Sequence, residues 1–318
     1  MALEVPCIRF TASLPEYLKY KEQEDTITET VVKILSIVFP PLHFYDLLKK
    51  QIHLLAGQCL IDQLRNPSCI PIGLQGYKNF DSVKLLLTTP DGIVLEGQFI
   101  PSNRFNERSK TIIIFNGNGE KYECKLIETA FRHEENSIMI RYDNIANFFY
   151  AGHDVIVFNY RGVINSEGHV SCRGLKLDAE TVYQFVSHYL KVPDEKIVLF
   201  GQSFGGAIAT HLAKWHPVKL FNVRSFSSLK AIVQHYATII SAFVLEGLDW
   251  IFNAEEDWKE VKGEKWVVYH KHDQMIPEKQ SFNKAVNDPR AIKLKDEEEY
   301  FEGNFGCCVC FDSRNECV

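Results

Sequence analysis

From Ser82 onward, short runs of β-branched and aromatic residues alternate with helical segments, and no other feature of the chain constrains its fold as strongly. Val83 to Leu87 and Ile93 to Ile100 flank the turn signal Pro90-Asp91-Gly92 and read as an antiparallel hairpin. Strand-like runs follow at Thr111 to Phe115, Asp154 to Asn159, Lys196 to Phe200, Asn222 to Phe226, Lys265 to His270 and Ala291 to Leu294. Helical segments, notably Ile145 to Tyr150 and Leu177 to Tyr189, separate most of them. A hairpin followed by repeated strand–helix units predicts an α/β fold, with a mostly parallel sheet covered by helices on both faces. In such a sheet, ligands bind beyond the carboxyl ends of the strands. Candidate residues are ranked by that rule.

The 318 residues carry a formal charge of −6 and are 46% apolar, which fits a globular chain with a real core. The composition excludes disordered, collagenous and disulfide-scaffold classes. The acidic balance argues against nucleic acid as a partner, because such binders carry a basic patch. Residues 1–80 read as a helical extension. Within it, Thr26-Ile27-Thr28-Glu29 fits a capping box, and Phe44, Leu47, Leu48, Ile52, Leu55, Cys59 and Leu60 keep a helical period. Val31 to Phe39 and Ala231 to Val244 come nearest to a membrane span, and both fall short of the roughly 18 uninterrupted apolar residues that a spanning helix needs. No secretory signal is evident at the N-terminus. The expected location is therefore the cytoplasm, or a host cell reached without a cleavable signal, with peripheral membrane association left open.

The strongest chemical signal is Gly201-Gln202-Ser203-Phe204-Gly205-Gly206, set between the Lys196 to Phe200 strand and the helical run Ala207 to Trp215. Strand, tight turn and helix are what a G-x-S-x-G nucleophile elbow requires. The glycines let the chain turn sharply without clashing with strand or helix. The helix N-terminus beneath the serine favours developing negative charge. A tight turn holding an idle serine is the alternative.

Here the chain resembles the α/β-hydrolase superfamily, over about Ser82 to Tyr300. Phe115-Asn116-Gly117-Asn118-Gly119 looks like the oxyanion loop of that fold, with Asn116 where His is common. Asn159-Tyr160-Arg161-Gly162, with Ser166-Glu167-Gly168, looks like the turn after the next strand. The run to Gly206 is similar to the ABHD-type serine hydrolases that act on lipids and acyl-proteins. Asn116-Gly117-Asn118-Gly119 with Tyr122-Glu123 also resembles hydrolase-like proteins of intracellular bacteria such as Chlamydia and Legionella. The resemblance implies that the backbone N–H groups of Asn118 and Phe204 form an oxyanion hole around an acylated Ser203. It implies that Asp273, after a strand and before Pro277, is the acid. A helix-capping role is the alternative for that residue.

The superfamily places its histidine after the acid, and no His follows His272 here. A serine hydroxyl needs a base whose pKa lies near the working pH. His169, in the loop after the Asp154 strand, is the first substitute, followed by His235 and His272. The leading expectation is a serine hydrolase acting on an ester or thioester, with a small-molecule or lipid-like acyl substrate and neither metal nor organic cofactor. The alternative is a catalytically degenerate binding or effector protein that keeps the fold. The expected organisation is a hydrolase domain over 81–300, an insertion at about 229–262, and a Cys-rich tail over 301–318. That tail carries Cys307, Cys308, Cys310 and Cys317, which are read as free thiols or as sites of S-acylation.

Overall fold

A computed structural model describes residues 7–18, 82–104, 106–118, 120–123, 125–126, 144–236, 251–270, 273, 276–289 and 291–294. Its strands are β1 (Cys7–Thr11), β2 (Val83–Thr88), β3 (Val94–Ile100), β4 (Thr111–Phe115), β5 (Asp154–Phe158), β6 (Ile197–Gln202), β7 (Lys219–Val223), β8 (Lys265–His270) and β9 (Ile292–Leu294). They form one sheet in the order β1-β2-β3-β5-β4-β6-β7-β8-β9. The β2–β3 and β3–β5 pairs are antiparallel. All the other pairs are parallel. The hairpin turns where expected: Gly92, at φ +83°, donates its N–H to the Thr89 carbonyl over 2.9 Å.

The described helices are α1 (Asn144–Tyr150), α2 (Cys172–Gln184), α3 (Phe204–Ala213), α4 (Leu229–Tyr236), α5 (Ala254–Glu260) and α6 (Phe282–Val286). Side chains alternate across each strand, so each central strand feeds two cores. From β4, Ile113 and Phe115 pack with Leu175 and Val182 of α2 and with Ile208 and Leu212 of α3. Ile112 and Ile114 pack on the opposite face with Ile145, Phe148 and Phe149 of α1. Burial on both faces explains why β4 to β6 read as near-continuous apolar runs.

Several expectations are corrected. The region expected to be helical throughout opens with β1, which pairs in parallel with β2, Cys7 opposite Lys84. The capping box at 26–29 and the helical period at 44–60 lie outside the described residues, as does the tail. β7 starts at Lys219 instead of Asn222, because Lys219 is already in register with Val198 of β6. It ends at Val223, because Arg224 turns the chain at φ +45°. α2 starts five residues before Leu177: Ser171 caps it by accepting the Gly174 N–H over 3.0 Å. Among the described residues, no helix is long and apolar enough to cross a membrane.

Candidate active site

The carboxyl ends of the central parallel strands bring together the segments singled out in the sequence. β4 leads into Gly117 and Asn118, β6 into Ser203, β7 into Arg224, and β8 into the loop carrying Asp273. β5 leads into the 159–170 loop on the same edge.

Ser203 sits at φ +52° and ψ −118°, a conformation that a residue with a Cβ rarely adopts. Its N–H continues the β6–β7 pairing by donating to the Val223 carbonyl over 2.9 Å. Its own carbonyl is held by the Gly206 N–H at 3.0 Å and the Ser225 hydroxyl at 2.8 Å. Two positions before and after Ser203, the turn permits nothing larger than glycine. A Cβ on Gly205 would lie 2.1 Å from the Phe115 carbonyl oxygen, and one on Gly201 would lie 2.5 Å from the Gly205 carbonyl oxygen. Close packing also explains why α3 begins at Phe204 rather than Ala207: of the two poor helix formers in its first turn, Gly205 is imposed by the approach to β4, and Gly206, where a Cβ would lie 2.7 Å from Ser225 Cβ, by the segment after β7.

The loop after β4 is tied down in three places. Asn116, standing where His is common in the resembled family, donates its side-chain N–H to the Phe158 carbonyl over 3.0 Å. Tyr160 donates its hydroxyl to the Asn116 carbonyl over 3.2 Å. Burial first, and then the Glu120 and Asp178 carboxylates, push that phenol well above its usual range, so it stays a donor. Gly117 gives its N–H to Glu120 Oε2 over 2.6 Å. Among the described residues, the backbone N–H groups of Asn118 and Phe204 have no acceptor. Both residues line a pocket with Gly117, Glu120, Tyr160, Val163, Val170 and Leu175.

Arg161, next to the pocket residue Tyr160 in the chain, is held by two carboxylates. Its Nε donates to Asp178 Oδ1 over 2.8 Å, its N–H donates to Asp178 Oδ2 over 2.9 Å, and its terminal nitrogens grip Asp91 in the β2–β3 turn. Burial pushes the Asp178 carboxyl up to about 6 against the pull of this guanidinium.

Of the residues singled out, Asn118 and Phe204 line that pocket, with Ser203 next to Phe204 in the chain. His169 is exposed and makes no hydrogen bond among the described residues, although the next residue, Val170, lines the pocket. Asp273, 7% exposed, accepts Arg224 Nε at Oδ2 over 2.8 Å and the Ile276 N–H at Oδ1 over 3.0 Å. The second contact ties the loop after β8 and is not a helix cap, since the short helix that follows, Glu278–Gln280, has Pro277 at its cap position. His235 is exposed on α4, and His272 lies outside the described residues. Two residues escaped the sequence reading. Glu120 was detectable as a carboxylate three positions after Gly117 in a turn-forming Gly-Asn-Gly-Glu run. Arg224 carried no local signal, since its partner lies 49 residues away.

A family model described as "alpha/beta hydrolase fold" matches residues 110–238. Uncharacterized protein R595 of Acanthamoeba polyphaga mimivirus is 31% identical over 220 residues, covering 62% of this chain and 67% of that protein. Protein bem46 of Schizosaccharomyces pombe is 25% identical over 193 residues, 58% of each, so the chain spans little more than half of that relative. Among solved structures, an alpha-beta hydrolase from Vibrio vulnificus superposes with a TM-score of 0.51 at 20% identity. The match covers 68% of this chain and 76% of that one, and it is a likeness of fold.

Proposed function

The chain belongs to the α/β-hydrolase fold family, and from that premise we propose that it hydrolyses an ester or thioester of an acyl group through Ser203. The observation that carries the proposal is the strained Ser203 backbone, at φ +52°, held over the start of α3. Strain of this kind costs about 1–3 kcal/mol and persists where the surrounding structure enforces it, which is a mark of functional sites. In this reading the Ser203 hydroxyl attacks the substrate carbonyl and passes its proton to a base. The resulting oxyanion takes hydrogen bonds from the Asn118 and Phe204 N–H groups, neither of which has an acceptor among the described residues. Collapse expels the alcohol or thiol, which leaves with that proton, and water then cleaves the acyl-serine. A donor of this kind is worth about 2.7–4 kcal/mol, because it meets charge present only in the transition state. The apolar pocket residues Val163, Val170, Leu175 and Phe204 support an acyl chain as the bound group. His169 is the proposed base, reaching the site by rotation from its exposed position beside Val170; such contacts often tighten only with substrate bound.

A second reading, a hydrolase fold kept for binding, is favoured by one observation. Asp273 is engaged by the Arg224 guanidinium, where a triad acid would orient a histidine. Turnover of short- and long-chain p-nitrophenyl esters separates the two. The catalytic reading expects hydrolysis that falls by about 10⁴-fold or more in Ser203→Ala. Equal turnover by wild type and Ser203→Ala contradicts it, and binding of acyl esters without turnover selects the second reading.

A further inference from the structure

We propose that Glu120 is the residue that positions the Asn118 donor. This rests on the catalytic reading above, and it assigns a task to a side chain outside the serine, acid and base. The Glu120 N–H returns to the Gly117 carbonyl over 3.3 Å and closes a four-residue turn. The Glu120 carboxylate also reaches back to accept the Gly117 N–H over 2.6 Å. Both ends of the turn are therefore tied, one through backbone and one through side chain. A turn closed between its first and fourth residues uses neither N–H of its central pair. Asn118 is the first of that pair, and its N–H is left facing an acceptor supplied from outside. A charge-assisted bond of this length is roughly twice as strong as a neutral one, so the carboxylate fixes the peptide that carries the donor.

Two further contacts make this arrangement specific. Lys125 lies 2.8 Å from Glu120 Oε2 and holds the carboxylate against the turn. A Cβ on Gly117 would come within 3.2 Å of the same oxygen and 3.4 Å of the Gln202 carbonyl, so the turn packs directly against the approach to Ser203. The arrangement also carries a liability. A carboxylate lining the same pocket would repel an oxyanion, and the Lys125 ammonium offsets that repulsion. Glu120 positions, and Lys125 both aligns and neutralises it.

The test is the rate at which a fluorophosphonate labels Ser203, because that attack also builds negative charge on an oxygen facing the Asn118 donor. Glu120→Ala and Glu120→Asp, the latter one methylene too short to reach Gly117, are expected to label about 10- to 100-fold more slowly than wild type. Glu120→Gln keeps an acceptor oxygen at the same reach and is expected to restore most of the rate. Lys125→Met is expected to slow labelling, and Glu120→Gln in that background to recover it, since the uncompensated charge is gone. With acyl esters the losses fall on kcat, with KM unchanged. Equal labelling of wild type and Glu120→Asp overturns the proposal, as does a Gln variant as slow as the Asp variant. If Glu120→Ala does not fold, the Asp and Gln pair decides. A wild-type protein that is never labelled overturns the catalytic reading itself and this inference with it, whereas a labelled wild type with unaffected variants overturns only the role of Glu120.

Discussion

Two substitutions at one position isolate the backbone strain at Ser203. Ser203→Ala and Ser203→Gly both remove the hydroxyl, so any difference between them reports the cost of carrying a Cβ at φ +52° and ψ −118°. Holding a residue with a side chain in a sparsely populated region costs about 1–3 kcal/mol. Glycine occupies such angles without that penalty but loses about 0.5–1 kcal/mol more chain entropy on folding. Ser203→Gly should therefore be more stable than Ser203→Ala by about 1 kcal/mol. That difference corresponds to roughly 2–4 °C in Tm for a domain of this size. Urea unfolding followed by circular dichroism reads it as a shift in midpoint at unchanged slope. An Ala variant as stable as the Gly variant would mean that the elbow stores no strain, and the main argument for a functional serine would fail.

Gly205→Ala places a Cβ 2.1 Å from the Phe115 carbonyl oxygen, a backbone atom that cannot rotate away. It is expected to cost about 3 kcal/mol and, by pushing α3 off β4, to slow Ser203 labelling about 100-fold; wild-type stability and labelling rate would refute the packing argument. His153 is buried and accepts the Lys110 N–H at Nδ1, and burial, with the nearby Lys110 charge, lowers its pKa to about 4. Because the folded value lies below the unfolded 6.5, its contribution is complete above pH 6.5 and is lost as pH falls toward 4, amounting to about 3 kcal/mol. A His153→Gln variant, which keeps an acceptor but does not titrate, should lose less stability over that interval, and an identical pH profile would refute the assignment. His169→Ala should abolish ester turnover as fully as Ser203→Ala, since a nucleophile and its base act as a unit. Retained turnover in His169→Ala would remove that residue as the base.

The parts of the fold that could be read from sequence are those set by local chemistry. Thr111–Phe115 and Lys265–His270 form strands over the expected spans, because each is a continuous apolar or β-branched run between clear breaks. The Gly92 turn and the Ser203 elbow were legible for a related reason, since backbone angles this unusual restrict the residue types that can occupy them. What escaped was set by distant partners. β1 is a half-exposed five-residue strand whose register with β2 joins residues 77 positions apart. α2 hid its start because Cys172, Gly174, Leu175, Lys176 and Leu177 are all buried, which erases the one-sided period that marks a surface helix. Arg161 and Asp178 each read as ordinary charged residues. Only folding shows that they pair. The same holds for Arg224 and Asp273, which pair across 49 residues.

The central claim is that Ser203 is an activated nucleophile, and mass-spectrometric mapping of a fluorophosphonate adduct tests it without knowledge of the substrate. The account predicts a single adduct on the peptide carrying Ser203, absent when the protein is unfolded before exposure and absent in Ser203→Ala. An intact, folded protein that takes up no probe at Ser203, or one that is labelled equally after the serine is replaced, would contradict it.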